Sequence, residues 1–229
     1  MTYNAAIGVM GSMQQLGRYI RSKQPDIVAL QEMDLFTIRP ERKNSNNTNQ
    51  PVELGFYTNM LPVFGPVLPY PSGGYYGLGF LSKHPILSVS NVPLPRIEGR
   101  DEPRLMLVAT WDINGKQLTI ASTHLSLDVE SREKQMKFIR SYMQRIRGYK
   151  IICGDLNSTP EEQLVSKIFR RWSDALPDEH CTFSSWNPVY KYDWILYETK
   201  SDIQVLDAQV DTRCRLSDHL PCYVDIVIK

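Results

Sequence analysis

Three short runs, far apart in the chain, place carboxylates beside apolar segments: Leu30-Gln31-Glu32, Gly154-Asp155-Leu156-Asn157 and Ser217-Asp218-His219. An acidic side chain at the end of a buried strand is costly to desolvate unless a cation or hydrogen bonds compensate it, and one divalent metal shared by the three would do so. Glu32 offers the hard oxygen donor that suits magnesium, an ion that retains several waters and takes few protein ligands. The plainer alternative is a surface glutamate. Asp155 and Asn157 stand two apart, so an extended backbone would aim both the same way, one to accept a proton from water and the other to orient that water or a phosphate. The same Asp-x-Asn-Ser-Thr-Pro run would also serve as a turn before a capped helix. His219 needs an orienting acceptor before it can act as a base or charge stabiliser. Together these residue types point to chemistry on phosphate.

Such side chains must be delivered by strands. Ile27-Val28-Ala29-Leu30 is a continuously apolar run of the kind found in a covered strand, with Glu32 at its exit. Ahead of it, Ser12 and Gln15 form a candidate capping box, Met13, Leu16 and Ile20 recur at helical spacing up to Lys23, and Pro25-Asp26 breaks the helix. Residues 39–50 read as an exposed loop, followed by a weakly helical stretch from Val52 to Asn59. Pro and Gly punctuate short strands from Pro62 to Gly79, and Phe80-Leu81-Ser82-Lys83-His84-Pro85-Ile86 continues as strand and turn.

Two alternating runs, Leu105–Ile113 and Gln117–Ser122, flank Asn114-Gly115, a pair suited to a tight hairpin turn. Glu130–Ile146 reads as an amphipathic helix with Met136, Ile139, Met143 and Ile146 on one side, and Thr159-Pro160-Glu161-Glu162 predicts the capped start of another. Strands around Asp193–Leu196, Ile203–Val210 and Tyr223–Ile228 close the chain. With no repeat and no linker, residues 1–229 are expected to form one domain, and periodicity by itself gives only mixed α/β.

Composition narrows the partners. Hydrophobic residues make up 42% and charged residues 22%, and no apolar stretch approaches the roughly 20 residues of a membrane-spanning helix, so a globular, soluble chain is expected. Lys and Arg number 26 against 25 Asp and Glu, which leaves no global basic field to draw in a polyanion; a nucleic-acid substrate is thereby disfavoured but not excluded. Arg39, Arg42 and Lys43 form the one early basic cluster, read as a solvated loop. Cys153, Cys181, Cys214 and Cys222 show no metal-finger spacing; Cys153 reads as a buried small side chain, and Cys181 could pair with Cys214 or Cys222 only if the fold brings them together. No charged region or apolar run precedes Tyr3, so cytoplasmic location is the default expectation, with export expected instead if a signal once preceded Met1. A monomer is expected.

Three further runs complete the set: Tyr3-Asn4, Thr123-His124-Leu125 and Tyr192-Asp193-Trp194. Six motifs in this order resemble the endonuclease/exonuclease/phosphatase superfamily, the deoxyribonuclease I-like hydrolases, over nearly the whole chain. The resemblance implies a four-layer α/β sandwich, two packed mixed sheets flanked by helices, with the site where loops of both sheets meet. It implies that Glu32 holds Mg2+, with Mn2+ as a substitute, supported by Asp218 and by Asn4, which would serve the metal or the substrate phosphate. Ala5 and Ala6 follow Asn4 where some relatives carry a further acidic residue, so one main metal position is expected. It further implies that His124 donates to a phosphoryl oxygen or assists proton transfer, that Asp193 orients His219, and that Arg104, in Glu102-Pro103-Arg104-Leu105, contacts phosphate. Arg39 is a weaker candidate, and Tyr75, Tyr76, Trp186 and Tyr190 either line a substrate rim or cover the core. The expected activity is hydrolysis of a phosphoester, small or lipid-derived, by in-line attack of a water activated at Asp155 and positioned by Asn157. The alternatives are a metal-dependent nuclease and a non-catalytic scaffold of the same fold.

Overall fold

The computed structural model describes residues 1–40, 47–177 and 179–229; Arg42 and Lys43, assigned to a solvated loop, lie outside the described residues. The chain runs β1 (Thr2–Asn4), α1 (Met13–Lys23), β2 (Ile27–Leu35), α2 (Gln50–Thr58), β3 (Leu61–Pro69), β4 (Tyr75–Ser82), β5 (Ile86–Pro93), β6 (Leu105–Ile113), β7 (Lys116–His124), α3 (Val129–Met143), β8 (Tyr149–Asp155), α4 (Leu164–Ile168), β9 (Trp172–Asp174), β10 (Asp193–Glu198), β11 (Ile203–Val210) and β12 (Cys222–Ile228). Two six-stranded sheets result, ordered β11-β12-β1-β2-β4-β3 and β5-β6-β7-β8-β10-β9. Each sheet contains one parallel pair, β1 with β2 and β7 with β8, joined through α1 and α3. Parallel neighbours need such a crossover, and it leaves both carboxyl ends at one edge of the sheet.

Apolar side chains sort into three layers of core. Phe80, Leu107, Trp111, Ile151 and Ile195 pack between the sheets. Met136, Ile139 and Met143 of α3 cover the second sheet with Ile152 and Trp194, while Met13, Leu16 and Ile20 of α1 cover the first with Val28 and Leu30. The order helix, sheet, sheet, helix is the expected four-layer sandwich. Ser12 accepts from the Gln15 amide and the Gln15 side chain returns to the Ser12 amide, so the capping box forms as read.

One local expectation is corrected, and the open question of cysteine pairing is answered. Thr159 makes no capping bond to a following α-helix; Pro160–Glu162 is a single 3-10 turn. There Glu162 bonds Arg132 at 2.9 Å and Ser158 at 2.8 Å, which ties the turn to α3 and the β8 exit. Cys181 pairs with neither Cys214 nor Cys222, since all four cysteines are free thiols. No helix among the described residues is long and apolar enough to cross a membrane.

Candidate active site

Three carboxyl-terminal strand ends, those of β1, β7 and β8, converge with the bulged middle of β2 and the start of β10 where the sheets meet. β1 ends at Asn4 beside Gln31 of β2, β7 ends at His124 directly opposite Asp155 of β8, and Asp155 in turn pairs with Asp193 at the start of β10. The junction between sheets is polar. The Asn4 Nδ2 donates to Glu32 Oε1 at 3.0 Å and to Asp155 Oδ2 at 3.1 Å, so one amide spans carboxylates from the two sheets. Gln31 makes a second link, its Nε2 donating to Ser122 Oγ of β7 at 3.0 Å. Ser217 Oγ donates to the Asn4 carbonyl at 2.7 Å, which draws the last motif against the first.

Glu32 sits on a register break. The β2–β4 ladder is irregular between Leu30 and Met33, and Glu32 takes a left-handed φ of 53°. A bulge of this kind re-aims a side chain, and a non-glycine residue in that region is held there by its surroundings. The Glu32 side chain stays 28% exposed. Burial raises its pKa, partly opposed by the Asn4 hydrogen bond.

Asp155 is the hub. Its Oδ2 lies 3.5 Å from both His124 Nε2 and His219 Nε2, and its Oδ1 accepts from the Asn157 amide at 2.9 Å. Burial pushes this carboxyl up, with the Asp193 charge adding to the rise and the His219 charge opposing it. His219 Nδ1 lies 2.8 Å from Asp193 Oδ2. Burial disfavours its imidazolium, but the Asp193, Asp155 and Asp218 charges outweigh that and raise its pKa. His124 is shifted the other way, held neutral by burial and by the Arg104 and His219 charges. Two histidines within reach of one carboxylate thus differ in charge near neutral pH.

The structure brings together Asn4, Glu32, His124, Asp155, Asp193 and His219 through these contacts. Asp218 adjoins them, its Oδ1 accepting from Ser217 Oγ at 3.2 Å. Arg104 is 10% exposed at the side chain, close enough to act electrostatically on Glu32 and His124, and its Nε is buried without a hydrogen-bond partner among the described residues. Asn157 departs from the extended geometry expected for it. It adopts a left-handed φ of 49°, and its Nδ2 donates to the Leu125 carbonyl at 2.9 Å, so β8 ends at Asp155 and the two side chains do not share one strand face. Arg39 is not simply solvated: it bonds Asp34 at 2.6 Å and its guanidinium lies 4.0 Å from the Tyr70 ring centre.

Three contributors have roles the sequence reading did not assign: Gln31 and Ser217, which sit inside recognised motifs but were not read as ties, and Tyr76, which was read as a rim or core-covering side chain and whose hydroxyl instead lies 3.3 Å from His124 Nδ1. A cavity of about 670 Å³ opens at the opposite end, lined by Ile27, Ile120, Ile151, Ile226 and Ile228 among others, and contains none of these residues.

Donor chemistry tests whether a metal fits. No cluster of three or more His, Cys, Asp or Glu side chains set to hold an ion occurs among the described residues. Magnesium does not require one, because it binds through one or two carboxylates and keeps its waters. A partly exposed Glu32 beside buried Asp155, with Asp218 adjoining, is such a donor set.

The family model for Endonuclease/Exonuclease/phosphatase matches residues 1–219. Solved structures agree in fold. A mannosyl-6-phosphatase of Bacteroides thetaiotaomicron aligns at a TM-score of 0.80 and 14% identity over 99% of this chain and 98% of that one. A functionally unknown conserved protein of Enterococcus faecalis aligns at 0.78 and 17% identity over 100% and 98%. The human Nocturnin catalytic domain with bound sulfate aligns at 0.71 and 20% identity over 99% and 90%. No curated protein matches the chain.

Proposed function

From the premise that this chain belongs to the Endonuclease/Exonuclease/phosphatase family of phosphoester hydrolases, we propose that its single domain, residues 1–229, is a magnesium-dependent hydrolase whose substrate is a small or lipid-derived phosphoester. The observation that carries the reading is the Asn4 amide bridging Glu32 and Asp155 across the two sheets, with both imidazoles 3.5 Å from the same Asp155 oxygen. Glu32, supported by Asp218, would hold the ion, with manganese as a substitute; Asn4, whose two amide hydrogens go to Glu32 and Asp155, aligns the two carboxylates. When bound, the ion supplies positive charge against the phosphoryl oxygens and the leaving oxygen.

The remaining work falls to the chain. Asp155, raised toward neutrality by burial, accepts the proton of the attacking water, since a base is most effective when its pKa lies near the working pH. Asn157, its amide plane fixed by the Leu125 carbonyl, orients that water. Charge developing on the phosphoryl oxygens meets the imidazolium of His219, kept in place by Asp193, and the neutral ring of His124. Arg104, with a buried and unpartnered Nε, adds a fixed positive charge on the same side.

Hydrolysis of bis-p-nitrophenyl phosphate with magnesium, followed by a panel of sugar phosphates, phospholipids, nucleotides and nucleic acids, tests the reading. Glu32→Gln is expected to abolish magnesium binding in calorimetry and His219→Asn to lower kcat at least a hundredfold, both remaining folded by circular dichroism. Wild-type rates in both variants would refute it. A nuclease is the second reading, favoured by one feature: Tyr190 stacks on Tyr192 at 5.5 Å and 12°, and half-exposed Tyr190 leads toward Trp186, 69% exposed, in a stretch anchored to Asp218 by the Ser185 amide. Bases stack on such rings. Plasmid nicking without small-molecule turnover would decide for it.

A further inference from the structure

His124 reaches the site through its Nε2, and what lies behind the ring decides whether that nitrogen carries a proton. The Tyr76 hydroxyl, on β4, lies 3.3 Å from His124 Nδ1. Glu32 Oε1 is the other group on that side, at 3.9 Å, beyond hydrogen-bonding range. On the far side, Asp155 Oδ2 stands 3.5 Å from Nε2. With Asp155 ionised, the form its role as base requires, that oxygen can only accept, so the arrangement is satisfied when Nε2 carries the hydrogen and Nδ1 accepts from the tyrosine. The opposite tautomer would set a bare Nε2 lone pair against the Asp155 oxygen and leave Tyr76 without an acceptor on the ring.

We propose that Tyr76 is a positioning residue, whose hydroxyl donates to His124 Nδ1 and thereby fixes the neutral ring as the Nε2–H tautomer, aimed as a hydrogen-bond donor at the phosphoryl group. The proposal rests on the hydrolase reading for its catalytic consequence and on geometry alone for the tautomer. Tyr76 is itself held. Its ring lies 5.6 Å from the Arg39 guanidinium, which is bonded to Asp34 at 2.6 and 3.1 Å, and Tyr76 pairs with Asp34 across the β2–β4 ladder. Asp34, Arg39 and Tyr76 therefore form a support running inward from the surface to the back of His124.

Tyr76→Phe removes one oxygen and keeps the ring. In the wild-type protein with magnesium at neutral pH, imidazole nitrogen NMR is expected to show His124 Nδ1 as the unprotonated nitrogen and Nε2 as the protonated one. In Tyr76→Phe the two nitrogens are expected to move toward each other as both tautomers become populated. Steady-state hydrolysis should lose kcat on the order of tenfold with KM within about twofold, the scale of one long, neutral hydrogen bond. Unchanged nitrogen shifts in Tyr76→Phe, or a wild-type ring protonated on Nδ1, would overturn the proposal whether or not the protein turns over phosphoester. Altered shifts with no hydrolysis by the wild type would uphold the tautomer and overturn the hydrolase reading instead. A second variant, Arg39→Met, which removes the charge beside the Tyr76 ring but leaves its hydroxyl, should move the His124 shifts less than Tyr76→Phe does; an equal or larger move would assign the effect to packing rather than to the hydroxyl and overturn the proposal.

Discussion

Asp193 illustrates how much a single oxygen can decide. Its Oδ2 holds His219 at 2.8 Å, while its Oδ1 is buried with no hydrogen-bond partner among the described residues, so the carboxylate has one task and is desolvated for it. Asp193→Asn preserves shape but presents either an amide hydrogen or a neutral oxygen to the ring, removing the charge that keeps the imidazolium. The expected outcome is a kcat lower by roughly a hundredfold or more with a near-native circular dichroism spectrum; a loss below threefold would show that Asp155 alone sustains His219. Away from the site, the same logic governs stability. Burial alone would raise Asp211, but hydrogen bonds from Lys23, the Arg213 amide and the Tyr19 hydroxyl outweigh it and lower its pKa. A carboxyl lowered on folding stabilises the protein above its ordinary titration range and loses that contribution as pH falls through the folded value. Asp211→Asn should therefore destabilise the protein in urea at pH 7 and cost progressively less as acid protonates the wild-type carboxyl; a cost independent of pH would contradict the pairing. Glu32, Asp155 and His219 were legible from type and context, because the first two follow apolar runs and the third stands just ahead of one. The hydroxyl of Tyr76 was not, because its meaning depends on which strand β4 pairs with.

At the level of elements, the site depends on how strands end. Gly154 precedes Asp155 at φ +126°, and a Cβ there would stand 2.1 Å from the Thr123 carbonyl oxygen of β7. Both the conformation and the close approach require glycine. Gly154→Ala is expected to cost about 2 kcal/mol or more of stability and to displace Asp155, so that activity falls further than the loss of folded protein accounts for. Ser12→Ala offers a contrast, since it removes the α1 cap far from the chemistry and should cost about 1 kcal/mol in denaturant while leaving kcat unchanged. The cap, the Asn114-Gly115 hairpin and α3 were legible in the chain because each is written in neighbouring residues. The Thr159-Pro160 start failed for a tertiary reason: Arg132 of α3 captures Glu162, and the turn follows that contact rather than local propensity. Asn157 failed similarly, since the Leu125 carbonyl rotates it out of the strand.

In the whole molecule, two sheets are joined differently at their two ends. Their middle is apolar, with Trp111 fully buried, edge-on to Phe80 at 5.4 Å and bonded through Nε1 to Ser82 at 2.9 Å, whereas the catalytic end is tied by Asn4 to Asp155 and by Gln31 to Ser122. Sequence periodicity supplied the strands but could not say which faces meet, because a continuously apolar run such as Ile151-Ile152-Cys153 has no polar face to orient it; the sandwich followed from resemblance. The two kinds of joint predict separable effects. Trp111→Ala leaves a cavity in the interlayer core and removes the indole bond to Ser82, whose hydroxyl keeps its bonds to His84, and should lower unfolding free energy by about 3–5 kcal/mol. The strand ends that carry Asn4, His124 and Asp155 keep their ladders and their polar ties, so kcat measured well below the melting transition should stay within about threefold of wild type. Hydrogen bonds at the rim would then be what sets the distance between the two halves of the site. If kcat instead fell in step with stability, the interlayer core would be setting that distance, and the Asn4 bridge would be its consequence rather than its cause.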